Sequence, residues 1–97
     1  MKVVEIEQGD VVIRPMSLRD LDMSLRTSAK LKKAGYSEEA AEIVANIMHG
    51  VKEAPFPLTE DGILDLDMAT TLTIMEAVGE VNDPLGSRKT TESESAD

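Results

Sequence analysis

The chain has no cysteine and no tryptophan, and only one phenylalanine, one tyrosine and one histidine among 97 residues. The lack of cysteine excludes a disulfide framework, a thiolate nucleophile and Cys-ligated zinc. It also fits a reducing compartment. His49 is the lone histidine. One imidazole cannot build a zinc site with the Asp and Glu spacings present, and no Ser or Cys motif accompanies it. It reads as a surface or helix-end histidine. There is no Gly-rich phosphate loop. No apolar run approaches the roughly 18 residues that a membrane span needs. Lys2 and Glu5 bring charge too early for a signal peptide. The expectation is a soluble cytoplasmic protein with no membrane association, no cofactor, no metal and no enzymatic activity.

Charge is present, but unevenly. The net charge is −9. Residues 17–36 carry Arg19, Arg26, Lys30, Lys32 and Lys33 against Asp20 and Asp22, a net of +3. Residues 37–83 carry eleven acidic side chains against Lys52, a net of −10. The simplest reading is a solvated surface that keeps the protein soluble. The same asymmetry suits head-to-tail self-association or an electrostatically steered partner. Nucleic acid is not an expected partner, because the acidic remainder would repel phosphate.

The expected fold is α+β, mainly α: an N-terminal β-hairpin packed on a bundle of three main helices, with a disordered C-terminal tail. Residues 1–83 read as one small domain. The hairpin occupies 2–14, the helices about 18–34, 38–52 and 67–82, and a flexible tail 84–97. Val3–Glu7 and Val11–Arg14 are the hairpin strands. Gly9-Asp10 suits a two-residue turn, which sets Ile6 against Ile13 and Glu5 against Arg14. Val4, Ile6, Val11 and Ile13 then share one face.

Pro15 ends the second strand, and Ser17 caps the first helix with Asp20 three residues on. Leu18, Leu21, Leu25, Ser28 and Ala29 form its expected inward face, and Gly35 its left-handed stop. Its C-terminal cations complement the helix dipole. Ser37 caps the second helix, whose stripe is Ala40, Ile43, Val44, Ile47, Met48 and Val51. Pro55 and Pro57 force an extended link around the only aromatic of the region, Phe56. Thr59 caps a short helical turn. Asp65 or Asp67 caps the third helix, with an expected stripe of Met68, Leu72, Met75 and Val78, widened by Ile74, Ala77 and Val81. Asp61 to Asp67 is not a calcium loop, because Ile63 and Leu66 fall at a ligand position and at the glycine position.

Five methionines beyond Met1 (Met16, Met23, Met48, Met68, Met75) serve chiefly to fill a core poor in aromatics. The alternative is an adaptable binding groove.

The order of these features carries a resemblance. A hairpin leads into Ile13-Arg14-Pro15-Met16-Ser17-Leu18-Arg19-Asp20-Leu21. After the middle helix come Leu58-Thr59-Glu60-Asp61 and Leu64-Asp65-Leu66-Asp67-Met68. The last helix reads Ile74-Met75-Glu76-Ala77-Val78-Gly79-Glu80-Val81-Asn82. Over residues 3–82 this resembles the tail assembly chaperones of long-tailed bacteriophages and related prophages. The resemblance implies a non-enzymatic protein that coats the helical tape-measure protein before the tail tube polymerises, and that forms homo-oligomers. In such families a frameshift near the end of the gene often makes a longer product, and the tail from Pro84 would suit that junction. No family residue carries over as a fixed contact. The expected client contacts are Met23 and Leu25 on the first helix and Ile74 and Met75 on the third, where the apolar stripes exceed what one small core needs. Two other classes stay open. One is an acidic DNA mimic using Glu38, Glu42, Asp61, Asp65, Asp67 and Glu80, which the basic first helix opposes. The other is a plain helical dimerisation or adaptor module.

Overall fold

In the computed structural model, which describes residues 1–82, the chain opens with two antiparallel strands, β1 (Lys2–Ile6) and β2 (Gly9–Ile13). Helices α1 (Leu18–Lys33) and α2 (Glu38–Gly50) follow. A three-residue strand β3 (Val51–Glu53), a short α3 (Glu60–Leu64) and a long α4 (Met68–Asn82) complete the described chain. The architecture is α+β and mainly helical, with the hairpin at the N-terminus as expected. The expected tail, 84–97, lies outside the described residues.

The hairpin turn differs from its expected place. Glu7-Gln8 makes the turn, and Ile6 pairs with Gly9, Val4 with Val11 and Lys2 with Ile13. Relative to a Gly9-Asp10 turn, the strands slide by an even number of residues. An even slide keeps every side chain on its face. Val11 and Ile13 are therefore still fully buried and Val4 and Ile6 half-buried. Alternation specifies which face is apolar and leaves the choice among even registers to other contacts. Gly9 has φ +144°, and a Cβ there would lie 3.3 Å from Pro55 Cβ, so this position follows the turn rather than forming it.

The second helix also ends earlier than expected. It stops at Gly50, and Val51–Glu53 instead pairs with β2 as the third strand of the order β1-β2-β3. The Arg14 N–H donates to the Gly50 carbonyl at 3.0 Å. Val51 enters the core here as a strand residue, where its β-branched side chain fits.

Local signals place the helix ends. Ser17 and Asp20 form a reciprocal capping box. Ser37 Oγ accepts from the Ala40 N–H, and Thr59 Oγ1 accepts from the Gly62 N–H. Asp67, not Asp65, caps α4: its carboxylate accepts the Thr70 N–H at 3.1 Å and the Thr70 hydroxyl at 2.6 Å. At the end of α1, Gly35 has φ +106°. The Tyr36 N–H reaches the Leu31 carbonyl and the Gly35 N–H the Lys32 carbonyl, which is the full Schellman pattern.

The core joins β2, β3 and the four helices around Val11, Ile13, Ile47, Ile63 and Ile74, each essentially inaccessible. Each such side chain contributes about 1.5–3 kcal/mol on burial. Phe56, Met16 and Met48 pack at its edge. No described helix is long and apolar enough to cross a membrane.

Candidate functional site

Helix α2 is the middle element, flanked by α1 on one side and α4 on the other. α1 returns along α2 through the four-residue link Ala34–Ser37, and Thr27 on α1 meets His49 near the far end of α2. α4 runs alongside α2 in the same direction. Thr71 lies by Ala40 and Ile43, and Val78 lies by Gly50, where a glycine Cβ would meet Val78 Cγ1 at 3.0 Å. α1 and α4 are therefore antiparallel neighbours across the outer surface of α2.

The face that α1 turns to α2 is small and polar. Ser24, Ser28 and Leu31 are buried, and Thr27 is half-buried. Ala41 and Ala45 of α2 are buried in turn. Small side chains on both helices permit close approach. The consequence is a correction. The row Leu18, Leu21 and Leu25 does not face inward; Leu18 is 84% exposed and Leu25 61%. A parallel correction applies to α4. Thr71, Ile74, Ala77 and Val78 are buried, whereas Met68 is exposed and Leu72 is 54% exposed. The inward face of α4 is turned from the Met68–Leu72–Met75 line toward the line through Ile74.

Between these two turned helices lies a groove of about 440 Å³. Leu18 and Leu21 form its α1 wall, Met75, Val78 and Gly79 its α4 wall, and Asn46 of α2 its floor. A Cβ at Gly79 would meet nothing within 4 Å, which marks open space on that wall. Helical spacing continues the α1 row from Leu18 and Leu21 to Leu25 and the α4 row from Met75 and Gly79 to Leu72, both exposed, whereas Met68 lines a separate small pocket with Ala40, Ile43, Leu64 and Leu66. Two exposed apolar rows thus flank the groove. No titratable side chain among the described residues lines the groove. Among the described residues, no group of three His, Cys, Asp or Glu side chains is arranged to hold a metal ion.

The four expected client contacts separate. Leu25 belongs to the exposed α1 row, and Met75 is half-buried in the groove wall. Met23 is 47% exposed but, two residues from Leu21 and Leu25, sits on another side of α1. Ile74 is a correction: it is 0% exposed and part of the core, so it cannot contact a client without unfolding. Helical spacing alone places Leu18, Leu21, Leu25, Met68 and Leu72 inward, yet all five are exposed. The signals that mark them as outer are the Ser24–Ser28–Leu31 and Thr71–Ile74–Val78 lines, inward rows that, Leu31 apart, are small or β-branched and that share Ser28, Ile74 and Val78 with the expected stripes.

The electrostatics support the walls from behind. Asp20 accepts the Ser17 N–H at 2.9 Å and an Arg14 N–H at 3.1 Å. The Ser17 backbone bond foremost, then the Ser17 hydroxyl and Arg14, hold its carboxyl below the usual carboxylate range against a smaller opposing effect of desolvation. Asp20 thus ties the exit of β2 to the start of α1. His49 shares a 3.0 Å hydrogen bond with Thr27 Oγ1 across the α1–α2 contact. Burial, with Arg14 adding and Asp20 opposing, pushes its imidazole below 6.5. Lys30 pairs with Glu60 of α3 at 3.1 Å, and Lys2 of β1 pairs with Glu80 of α4. Comparison with known protein families, curated proteins and solved structures gives no match.

Proposed function

We propose that this protein is a non-enzymatic holdase of the tail assembly chaperone kind. It binds the long helical tape-measure protein of a phage tail in the bacterial cytoplasm and keeps it soluble until the tail tube forms around it. The observation that carries this reading is the pair of exposed apolar rows across the α1–α4 groove. A helical client presents apolar residues at i, i+3, i+4 and i+7, and a groove between two helices is a receptor for that spacing. Contiguous exposed apolar surface on a small acidic protein marks an interaction site. The resemblance of residues 3–82 to the chaperone family supplies the client's identity.

Co-expression tests it. A tape-measure protein encoded in the same genome is expressed with and without the protein. The expected result is a soluble client that co-purifies only when the protein is present and stays bound in about 1 M salt, where surface ion pairs are screened. Leu18→Asp with Met75→Asp is expected to abolish capture while the circular dichroism spectrum is kept. A client that stays insoluble beside wild-type protein overturns the reading. Partner release at moderate salt would favour the acidic-mimic class instead.

A further inference from the structure

We propose that Asn46 sets the register of the helix held in the α1–α4 groove, by requiring an uncharged hydrogen-bond donor (Ser, Thr, Asn or Gln) at the client position that crosses it. The inference rests on the reading of the groove as a receptor for a helical client, and adds what that client must carry.

Asn46 is what α2 contributes to a groove walled by Leu18, Leu21, Met75 and Val78. It is half-buried, between the buried Ala45 and Ile47. Its amide nitrogen donates to the Glu42 carbonyl, one turn back, at 2.9 Å. That bond commits the nitrogen to the backbone of α2 itself and leaves the side-chain oxygen as the free end. Among the described residues, nothing donates to this oxygen. The other polar side chains of the lining are engaged. Asn82 spans the Met16 N–H and the Arg14 and Val78 carbonyls, and the Ser17 hydroxyl accepts the Asp20 N–H.

In the open groove, water can satisfy the Asn46 oxygen. A client helix laid over the floor expels that water. A buried acceptor left without a donor then costs more than an apolar contact returns. A client with leucine at this point is penalised, and one with a donor is not. Lysine and arginine are disfavoured as donors, because no titratable side chain lines the groove to balance their charge. The two apolar rows cannot make this choice. Apolar contact is non-directional, so the rows accept a client helix slid along its axis. A slide of one turn carries the donor about 5.4 Å away from Asn46. The rows therefore hold the client, and Asn46 selects the place along it. A single polar side chain in an apolar helical seam is an attested way to specify register at some expense of stability.

Overlapping fragments of the tape-measure protein, each about 25 residues or seven helical turns, test the proposal when titrated into the full chain. The tightest fragment is expected to carry Ser, Thr, Asn or Gln with apolar neighbours three and four residues away on both sides. Replacing that donor by leucine should weaken binding to wild type about tenfold. It should leave binding to Asn46→Leu no weaker. The key substitution is made in the fragment, so its effect on wild type does not depend on how Asn46→Leu folds. The chain has no cysteine, so Leu25→Cys, at an exposed position, reports register against a cysteine scanned along the fragment. Under mild oxidation, Leu25→Cys alone should cross-link at one fragment position. Leu25→Cys combined with Asn46→Leu should cross-link at several, one turn apart. A fragment that binds wild type equally with and without its donor, in one register on both proteins, overturns the role of Asn46 and leaves the holdase reading standing. If wild type binds no fragment, both are overturned.

Discussion

The Asn82 side-chain carbonyl accepts the backbone N–H of Met16, 66 residues earlier in the chain. The same side chain donates to the Arg14 carbonyl at 3.3 Å and to the Val78 carbonyl at 3.0 Å. Asn82 thus holds the backbone on both sides of Pro15 and bolts the entry of α1 to the end of α4. These two ends frame the groove. Asn82→Ala is expected to cost about 1–3 kcal/mol, because it leaves partly buried backbone groups without partners. Urea unfolding measures the loss. Faster hydrogen exchange in the first turn of α1 should accompany it, and an unchanged α1 would contradict the clamp.

Ile74 and Leu72 are two residues apart and are expected to respond oppositely. Ile74→Ala removes a fully buried side chain and should cost about 2–5 kcal/mol. Leu72→Ala, at an exposed position, should change stability by no more than about 0.5 kcal/mol. Denaturant midpoints separate them. Equal effects would mean that α4 is not turned as described.

Gly62 and Gly79 make a second contrast. A Cβ at Gly62 would lie 2.3 Å from the Pro57 carbonyl oxygen, a backbone atom with little room to move. Gly62→Ala is expected to destabilise by about 1–3 kcal/mol. A Cβ at Gly79 meets nothing, and the position is inside α4. Gly79→Ala is expected to stabilise by about 0.5–1 kcal/mol through helix propensity. Thermal unfolding of the two variants reads both signs.

His49 makes stability pH-dependent near neutrality. Its folded imidazole titrates below 6.5, first because it is partly buried and then because Arg14 repels its charged form, with Asp20 opposing. The unfolded chain therefore binds this proton more readily than the folded one. The contribution is full above about pH 6.5 and is lost as pH falls through the folded value. Asp67 is held below the ordinary 3.8 by the Thr70 hydroxyl and N–H, and Asp20 by its Ser17 bonds and Arg14. Their contributions are present above 3.8 and disappear only as pH falls below it, outside the His49 window. Urea unfolding at about pH 7.5 and about pH 5 should show wild type losing more stability than His49→Gln. Parallel losses would remove His49 from the account.

Much of the fold was legible because its signals are local. Ser17, Ser37, Thr59 and Asp67 each satisfy an N–H three residues away, and Gly35 supplies a positive φ next to the helix it ends. Such partners are close in sequence whatever the rest of the chain does. The candidate site was legible only in part. Surplus apolar width points to Met23, Leu25, Ile74 and Met75; Met75 lines the groove, Met23 and Leu25 are exposed outside its lining, and Ile74 is core. Counting apolar residues on a helix establishes that a stripe exists. It does not establish which edge of a wide stripe faces a neighbour.

By itself, the sequence determined the helix starts at Ser17, Ser37 and Thr59 and the stop at Gly35, the parity of the hairpin faces, the absence of thiol chemistry and the opposite charges of α1 and the rest of the chain. Only the tertiary structure decided the rotation of α1 and α4, the Glu7-Gln8 turn, and the conversion of Val51–Glu53 from helix end to strand. The physical reason is the range of the forces. Caps and turns are satisfied within one turn of chain, but close packing is a property of pairs. Ser24 and Ser28 face inward because Ala41 and Ala45 leave room for a close helix, and the leucines beside them are left exposed.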